Sequence, residues 1–218
     1  PLLDGCPTAF MSLDFSSSQQ FIRAAERLYP QLGYQKLSVR ALAAQAQLSS
    51  GLFHHLFANK DDFMAQVFAQ HFQRAFGWLA PEFAADAPPL ERLRRLYFQA
   101  ALSLRAEVPW ITRMLIDSAD NVEMAQKSVQ ELVLREFRLV RQIVGEIAPH
   151  MSDEQAIHAI SQLQTSILLP ILAVNTFSRI RVMPDELRRP ILQQLTDEAL
   201  AQRVDWIIKA LFSAKETQ

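Results

Sequence analysis

Residues Ser49 to Leu56 (SSGLFHHL) carry the groups in this chain best suited to recognition chemistry. Ser49, Ser50 and the Cβ-free Gly51 fall where a short helix would begin. There free N–H groups and the helix dipole suit a phosphate, and a bare backbone lets a partner approach closely. If this segment enters a DNA major groove, Ser50, Leu52 and His55 are suited to base edges, since serine bonds several bases and leucine touches a thymine methyl. Ser38, Arg40, Ser49, His54 and Lys60 suit the sugar-phosphate backbone, where contacts set register without reading sequence. A metal reading of His54 and His55 fails, because adjacent residues point to different helix faces and no i, i+4 His or acidic partner completes a site. Phe53 and Phe57 read as core. No Ser/His/Asp or Cys/His constellation occurs in a suggestive setting, and His150 and His158 stand alone, so no catalytic residue, metal or cofactor is expected.

The elements that must position these groups are helices. Phe21, Ala24, Ala25, Leu28, Tyr29 and Leu32 recur at helical spacing behind Ser17 and Gln20, and this first helix should end near Gly33. Ser38 can cap a short second helix with Val39, Leu42, Ala43 and Ala46 inward. A turn at Leu48 and Ser49 leads to a third, Ser50 to Leu56, and Asn59 caps a long fourth helix with Asp61 and Asp62 in its first turn. Two short helices across a tight turn, backed by a third, is the arrangement that presents one helix to DNA.

Ala80 to Pro89 holds three prolines in ten residues and marks a break in composition. Beyond it, helical patterns span Leu90 to Arg105, a short segment opened by Pro109, and Val122 to Ile147. Another follows the Ser152/Gln155 capping box toward Pro170, which should kink or end it. A short helix after Met183 and Pro184, reaching about Leu195, and one capped by Thr196 complete the chain. The expected class is all-α. The expected organisation is an unstructured leader over residues 1–15, a helix-turn-helix domain over 16–62 and a larger helical domain over 63–218.

Composition agrees with a folded helical protein. Of 218 residues half are apolar and 21% charged, and five glycines are too few for a turn-rich β fold or a glycine-loop nucleotide fold. The net charge is -1, so no global field draws nucleic acid. Locally the balance reverses: from Ser16 to Ala75 six basic residues (Arg23, Arg27, Lys36, Arg40, Lys60, Arg74) face three acidic ones, a net +3 on the segment that would dock. The single cysteine, Cys6, forms no internal disulfide and fits a reducing compartment, so a cytoplasmic location is expected. The strongly apolar run Ile167 to Val174 contains Pro170 and is too short to span a bilayer, so no membrane partner is expected.

Over Phe21 to Phe68 the sequence resembles the tetracycline-repressor (TetR) family of transcriptional regulators. The resemblance runs through Ala24, Ala25 and Tyr29, then Gly33-Tyr34, Ser38-Val39-Arg40, Leu42-Ala43, Ala46, Leu48-Ser49 and Gly51, closing on Phe53 to Lys60. His54 stands where the family usually has Tyr, and Leu56 where it usually has His or Tyr. Gln47 replaces the Gly that commonly ends the second helix, a substitution that strains the turn if φ there is positive.

The resemblance implies a sequence-specific DNA-binding regulator, a repressor released from a palindromic operator by a small-molecule effector. It also implies a homodimer paired through the last two long helices, for which the expected contacts are Ile157, Ile160, Ile167, Leu200, Val204, Ile207 and Leu211. A largely apolar effector would meet Phe98, Leu102, Trp110, Met114, Leu115 and Phe137, with Gln164 as the polar handle. The competing reading is an α-helical enzyme or ligand-binding protein using the C-terminal cavity.

Overall fold

A computed structural model describes residues 7–80, 86–179 and 182–212 of the chain. Among the described residues the regular structure is ten α-helices and one π turn, with no strand. They divide into two compact units, one of Pro1–Arg74 with Arg113–Ser128 and one of Ala75–Thr112 with Val129–Gln218.

The first unit is built on α1 (Pro7–Lys36), α2 (Val39–Ala46), α3 (Ser50–Leu56) and most of α4 (Lys60–Phe76). Helix α1 begins inside the leader expected to be unordered, of which residues 1–6 lie outside the described residues. Proline suits a first helical position because its missing N–H has no partner there. The helix is broken where its pattern ends: Gly33 has φ 70°, and a Cβ added there would lie 2.8 Å from the Arg113 guanidinium. Phe21, Tyr29, Phe53, Phe63 and Phe68 are fully buried, and Phe57 nearly so. Phe53 meets Phe21 edge-on at 5.3 Å and Phe63 at 5.0 Å, while Phe57 meets Phe63 at 4.7 Å. Burying each such ring contributes about 1.5–3 kcal/mol, and edge-on pairing about 0.5–1.5 more. This cluster ties the start of α4 to α1 and α3. The expected boundary after residue 62 therefore falls within a helix whose Phe63, Met64, Val67 and Phe68 belong to the first unit's core.

The second unit contains most of α5 (Pro89–Ala119) and α6 (Glu123–Ile147), then α7 (Asp153–Leu163), a π turn (Gln164–Leu168), α8 (Leu169–Arg179), α9 (Asp185–Gln193) and α10 (Asp197–Phe212). Helix α5 runs unbroken through Pro109, so the separate segment expected there does not exist. Buried Val108 and Trp110 hold the turn in which the proline removes one hydrogen bond. Pro170 does not end its helix either. It lacks the N–H that would reach Ser166, and the ladder changes register just before it, with Leu169 N–H donating to the Gln164 carbonyl. Across this change the chain stays helical, and Asp153–Ser178 is long and apolar enough to cross a membrane by length and composition alone. Ile160, Leu163, Ile167 and Ile171 on this stretch join Leu93, Leu96, Val140, Ile143, Leu200 and Val204 in one buried cluster, so one side of it belongs to the unit's core.

Candidate nucleic-acid interface

The turn between α2 and α3 is closed at both ends by its own residues. Ser38 caps α2, accepting the Ala41 N–H at 3.1 Å, and Ser49 caps α3, accepting the Leu52 N–H at 3.1 Å. In each case the hydroxyl hydrogen stays free to donate, so a capping serine still has a bond to offer a phosphate oxygen. Between them Leu48 N–H donates to the Ala43 carbonyl at 3.0 Å and Gln47 N–H to that of Ala44 at 3.3 Å, a Schellman ending. Gln47 adopts φ 58°, ψ 39°, the left-handed conformation in which a side chain is strained.

Helix α3 turns one face in and one out. Phe53 is buried, Leu52 and Leu56 are half-buried, and Ser49, Ser50, Gly51, His54 and His55 are exposed. Helical spacing makes two outward rows, Ser50 with His54 and Gly51 with His55. His54, expected to serve the phosphate backbone, thus shares a row with Ser50, expected to face bases, and Leu52 flanks both. A Cβ added at Gly51 would meet only Ser49 Oγ at 3.9 Å, so nothing inside the fold requires glycine there. Arg40 is exposed on α2, and no ion pair among the described residues engages it. Arg23 and Arg27 of α1, which motif reasoning left out of the site, line a shallow polar groove with Gln45 and Gln47.

Lys60 is held rather than free. Its ammonium donates to the Tyr34 carbonyl at 2.5 Å and lies 4.1 Å from the centre of the Tyr34 ring, while the Tyr34 hydroxyl donates to Asp61. Partial burial lowers the Lys60 pKa, and the charge of Asp117 opposes that shift. On its other side the Tyr34 N–H donates to Asp117 Oδ2 at 2.9 Å. Asp117 is 2% exposed and paired with Arg113 at 2.7 Å. Burial, then the hydrogen bond to Asp117, pushes the Tyr29 phenol up. A chain of bonds therefore runs from Asp117 through the Tyr34 peptide to Lys60. Asp117 carried no signal in the sequence, lying 83 residues from Tyr34 in the chain.

The residues expected in an effector cavity do not fall in one unit. Phe98, Leu102 and Phe137 pack half-buried against the second unit's core, and Trp110 is 5% exposed there. Met114 is buried in the first unit, and Leu115, also there, is 45% exposed. Gln164 donates to Glu136 Oε2 at 2.8 Å. Of the expected dimer contacts, Ile160, Ile167, Leu200 and Val204 are consumed by the chain's own core, Ile207 and Leu211 are half-buried against it, and Ile157 is 49% exposed. The helical stripe that sequence assigned to both core and partner faces mostly inward.

The sequence profile of the bacterial regulatory proteins, tetR family, matches residues 21–67, the segment that holds α2, α3 and their supports. No curated protein sequence matches the chain. Among solved structures the chain is similar to a TetR-like transcriptional regulator from Rhodococcus sp. RHA1, with 20% identity, TM-score 0.63, and coverage of 91% of this chain and 97% of that one. It is also similar to FadR from Bacillus subtilis, solved in complex with stearoyl-CoA (17% identity, TM-score 0.58, coverage 89% and 97%). A third likeness is to the fatty acid degradation regulator FadR from Bacillus halodurans (14% identity, TM-score 0.60, coverage 93% and 97%). At these identities the structural likenesses establish the fold, while the match at residues 21–67 falls on the helix-turn-helix itself. Residues 21–67 thus carry the helix-turn-helix segment of the tetR family of bacterial regulatory proteins, and the chain is a DNA-binding transcriptional regulator.

Proposed function

We propose that this regulator is a repressor that binds a palindromic operator as a homodimer in the cytoplasm and leaves it when a largely apolar effector occupies the second unit. It acts by binding, not catalysis. The observation that carries this reading is the exposed double row on α3, Ser50 with His54 and Gly51 with His55, set on an aromatic core and framed by Ser38, Arg40 and Lys60. Ser50, Leu52 and His55 read bases in this reading, and the framing residues with Ser49 and His54 grip the backbone. Support for pairing comes from Ile157, Leu169, Phe177 and Trp206, apolar residues of the second unit left between 49% and 62% exposed. Support for an apolar effector comes from the stearoyl-CoA complex of the Bacillus subtilis FadR. An effector releases DNA only by binding the two states with different affinity.

Selection of binding sites from random duplex DNA, with Arg40→Ala and His55→Ala in parallel, tests the reading. The wild type should select a two-fold symmetric site. Arg40→Ala should weaken all sites alike and flatten the salt dependence by about two units of slope, one for each subunit, and His55→Ala should relax preference at particular base pairs. No selected sequence, or identical behaviour of the two variants, refutes it.

A further inference from the structure

The interior of the second unit contains a polar cluster that the fold itself leaves incomplete. Glu136 on α6 accepts from Gln164 Nε2 at 2.8 Å through Oε2, while its Oε1 is buried without a hydrogen-bond partner among the described residues. The Tyr97 hydroxyl on α5 is likewise buried and without a partner. The two groups sense each other: burial, and then the Glu136 carboxylate, raises the Tyr97 phenol well above its ordinary value. One helical turn from these positions lie Leu93, Ala101, Val140, Ile160 and Ile167, all buried, so the side chains next to the three along their helices are apolar. A buried polar atom left unsatisfied is costly, and two in one cluster call for a partner that the chain does not supply.

The backbone at the third corner is irregular in the same place. Gln164 is the first residue of the π turn, and such turns in α-helices recur at functional sites. In its ionised form the Glu136 carboxylate accepts only, so the group that would satisfy Oε1 in that form is a donor. An ammonium head meets this need with a charge-assisted bond, whereas an anionic head would repel the carboxylate. We infer that Glu136, Tyr97 and Gln164 form the head-group subsite for an apolar amine, with Glu136 Oε1 accepting its N–H and the surrounding aliphatic side chains taking its body. The burial that raises the Glu136 carboxyl to about 7 is offset when the amine pairs with it.

This inference rests on the proposed function, since it names the class of effector for that unit. The test uses the full chain and three probes of one length: decylamine, decanol and decanoate, titrated calorimetrically at pH 8 below their aggregation concentrations. Decylamine should bind one molecule per chain, about tenfold or more tighter than decanoate. Glu136→Gln should lower decylamine affinity by about tenfold or more and leave decanol unchanged. Tyr97→Phe should weaken decylamine without reversing the order of heads. Decanoate or decanol binding as tightly as decylamine to the wild type overturns the inference without need of any variant, as does undetectable decylamine binding or an unaltered decylamine affinity in Glu136→Gln. An amine that binds as expected but leaves selected-operator affinity unchanged supports the subsite and refutes effector release. An intact operator complex with no amine binding refutes the subsite alone.

Discussion

Replacing Glu136 by Gln should stabilise the second unit at neutral and alkaline pH and leave it unchanged in acid. Burial raises the Glu136 carboxyl from 4.5 to about 7, opposed by the Gln164 hydrogen bond. Because its pKa is raised in the folded state, the wild type binds this proton more tightly when folded than when unfolded. The stability so gained is complete below about pH 4.5 and is lost as pH rises through about 7. At ~1.4 kcal/mol per pH unit, the loss amounts to about 3 kcal/mol. The amide introduced by Glu136→Gln keeps a hydrogen-bond acceptor for Gln164 but cannot ionise, so the variant's curve lacks this component. The difference between variant and wild type should be near zero at pH 4.5 and reach about 3 kcal/mol by pH 8, a rise of roughly 6–12 °C in Tm. Other titrating groups act on both proteins alike and cancel in the difference. Urea unfolding followed by tryptophan fluorescence reads the relevant unit, because Trp78, Trp110 and Trp206 all belong to it. A difference that stays constant with pH, or a wild type more stable than the variant at pH 8, would refute the assignment of Glu136 to an apolar interior.

Three further outcomes concern the DNA-binding unit. Gly51→Ala should raise stability by about 0.5–1 kcal/mol, since a Cβ makes only an ordinary contact with Ser49 Oγ, yet weaken operator binding if the backbone lies close to DNA. Thermal unfolding and gel-shift titration of one preparation separate the two effects, and unchanged DNA affinity would sink the close approach. Gln47→Gly should raise stability by about 1 kcal/mol by relieving its positive φ, read as a shift in urea midpoint without change in slope. Asp117→Asn keeps an acceptor for the Tyr34 N–H but removes the charge that faces Arg113, and Asp117→Ala removes both. Loss of DNA affinity should be larger for Ala than for Asn and accompanied by a shallower salt dependence, because Lys60 loses its fixed position; an unaltered salt slope in both variants contradicts that route.

Much of the DNA-binding unit was legible residue by residue because its determinants are local. Ser38, Ser49 and Asn59, like Ser152 in the second unit, sit next to the N–H groups they cap, and a cap is written within four residues of chain. The burial of Phe53 and Phe57 also follows from short-range periodicity. Prolines misled where packing overrode a local preference: Pro109 lies inside α5, and Pro170 follows a π turn that keeps the helix going.

Sequence alone determined that the chain is helical, that one short helix is capped, glycine-bearing and presented, and that a local positive charge surrounds it. Each of these is settled by neighbours along the chain, through hydrogen bonds and side-chain spacing. Tertiary structure alone decided which side of a broad apolar stripe faces inward, burying Ile160 and Leu200 while leaving Ile157 and Trp206 outside. It also brought Asp117 to Tyr34 and Glu136 to Gln164, pairs separated by 83 and 28 residues. Such pairs depend on how helices pack, and a charged residue that packing will bury looks, in a string of letters, like any other on a solvated face.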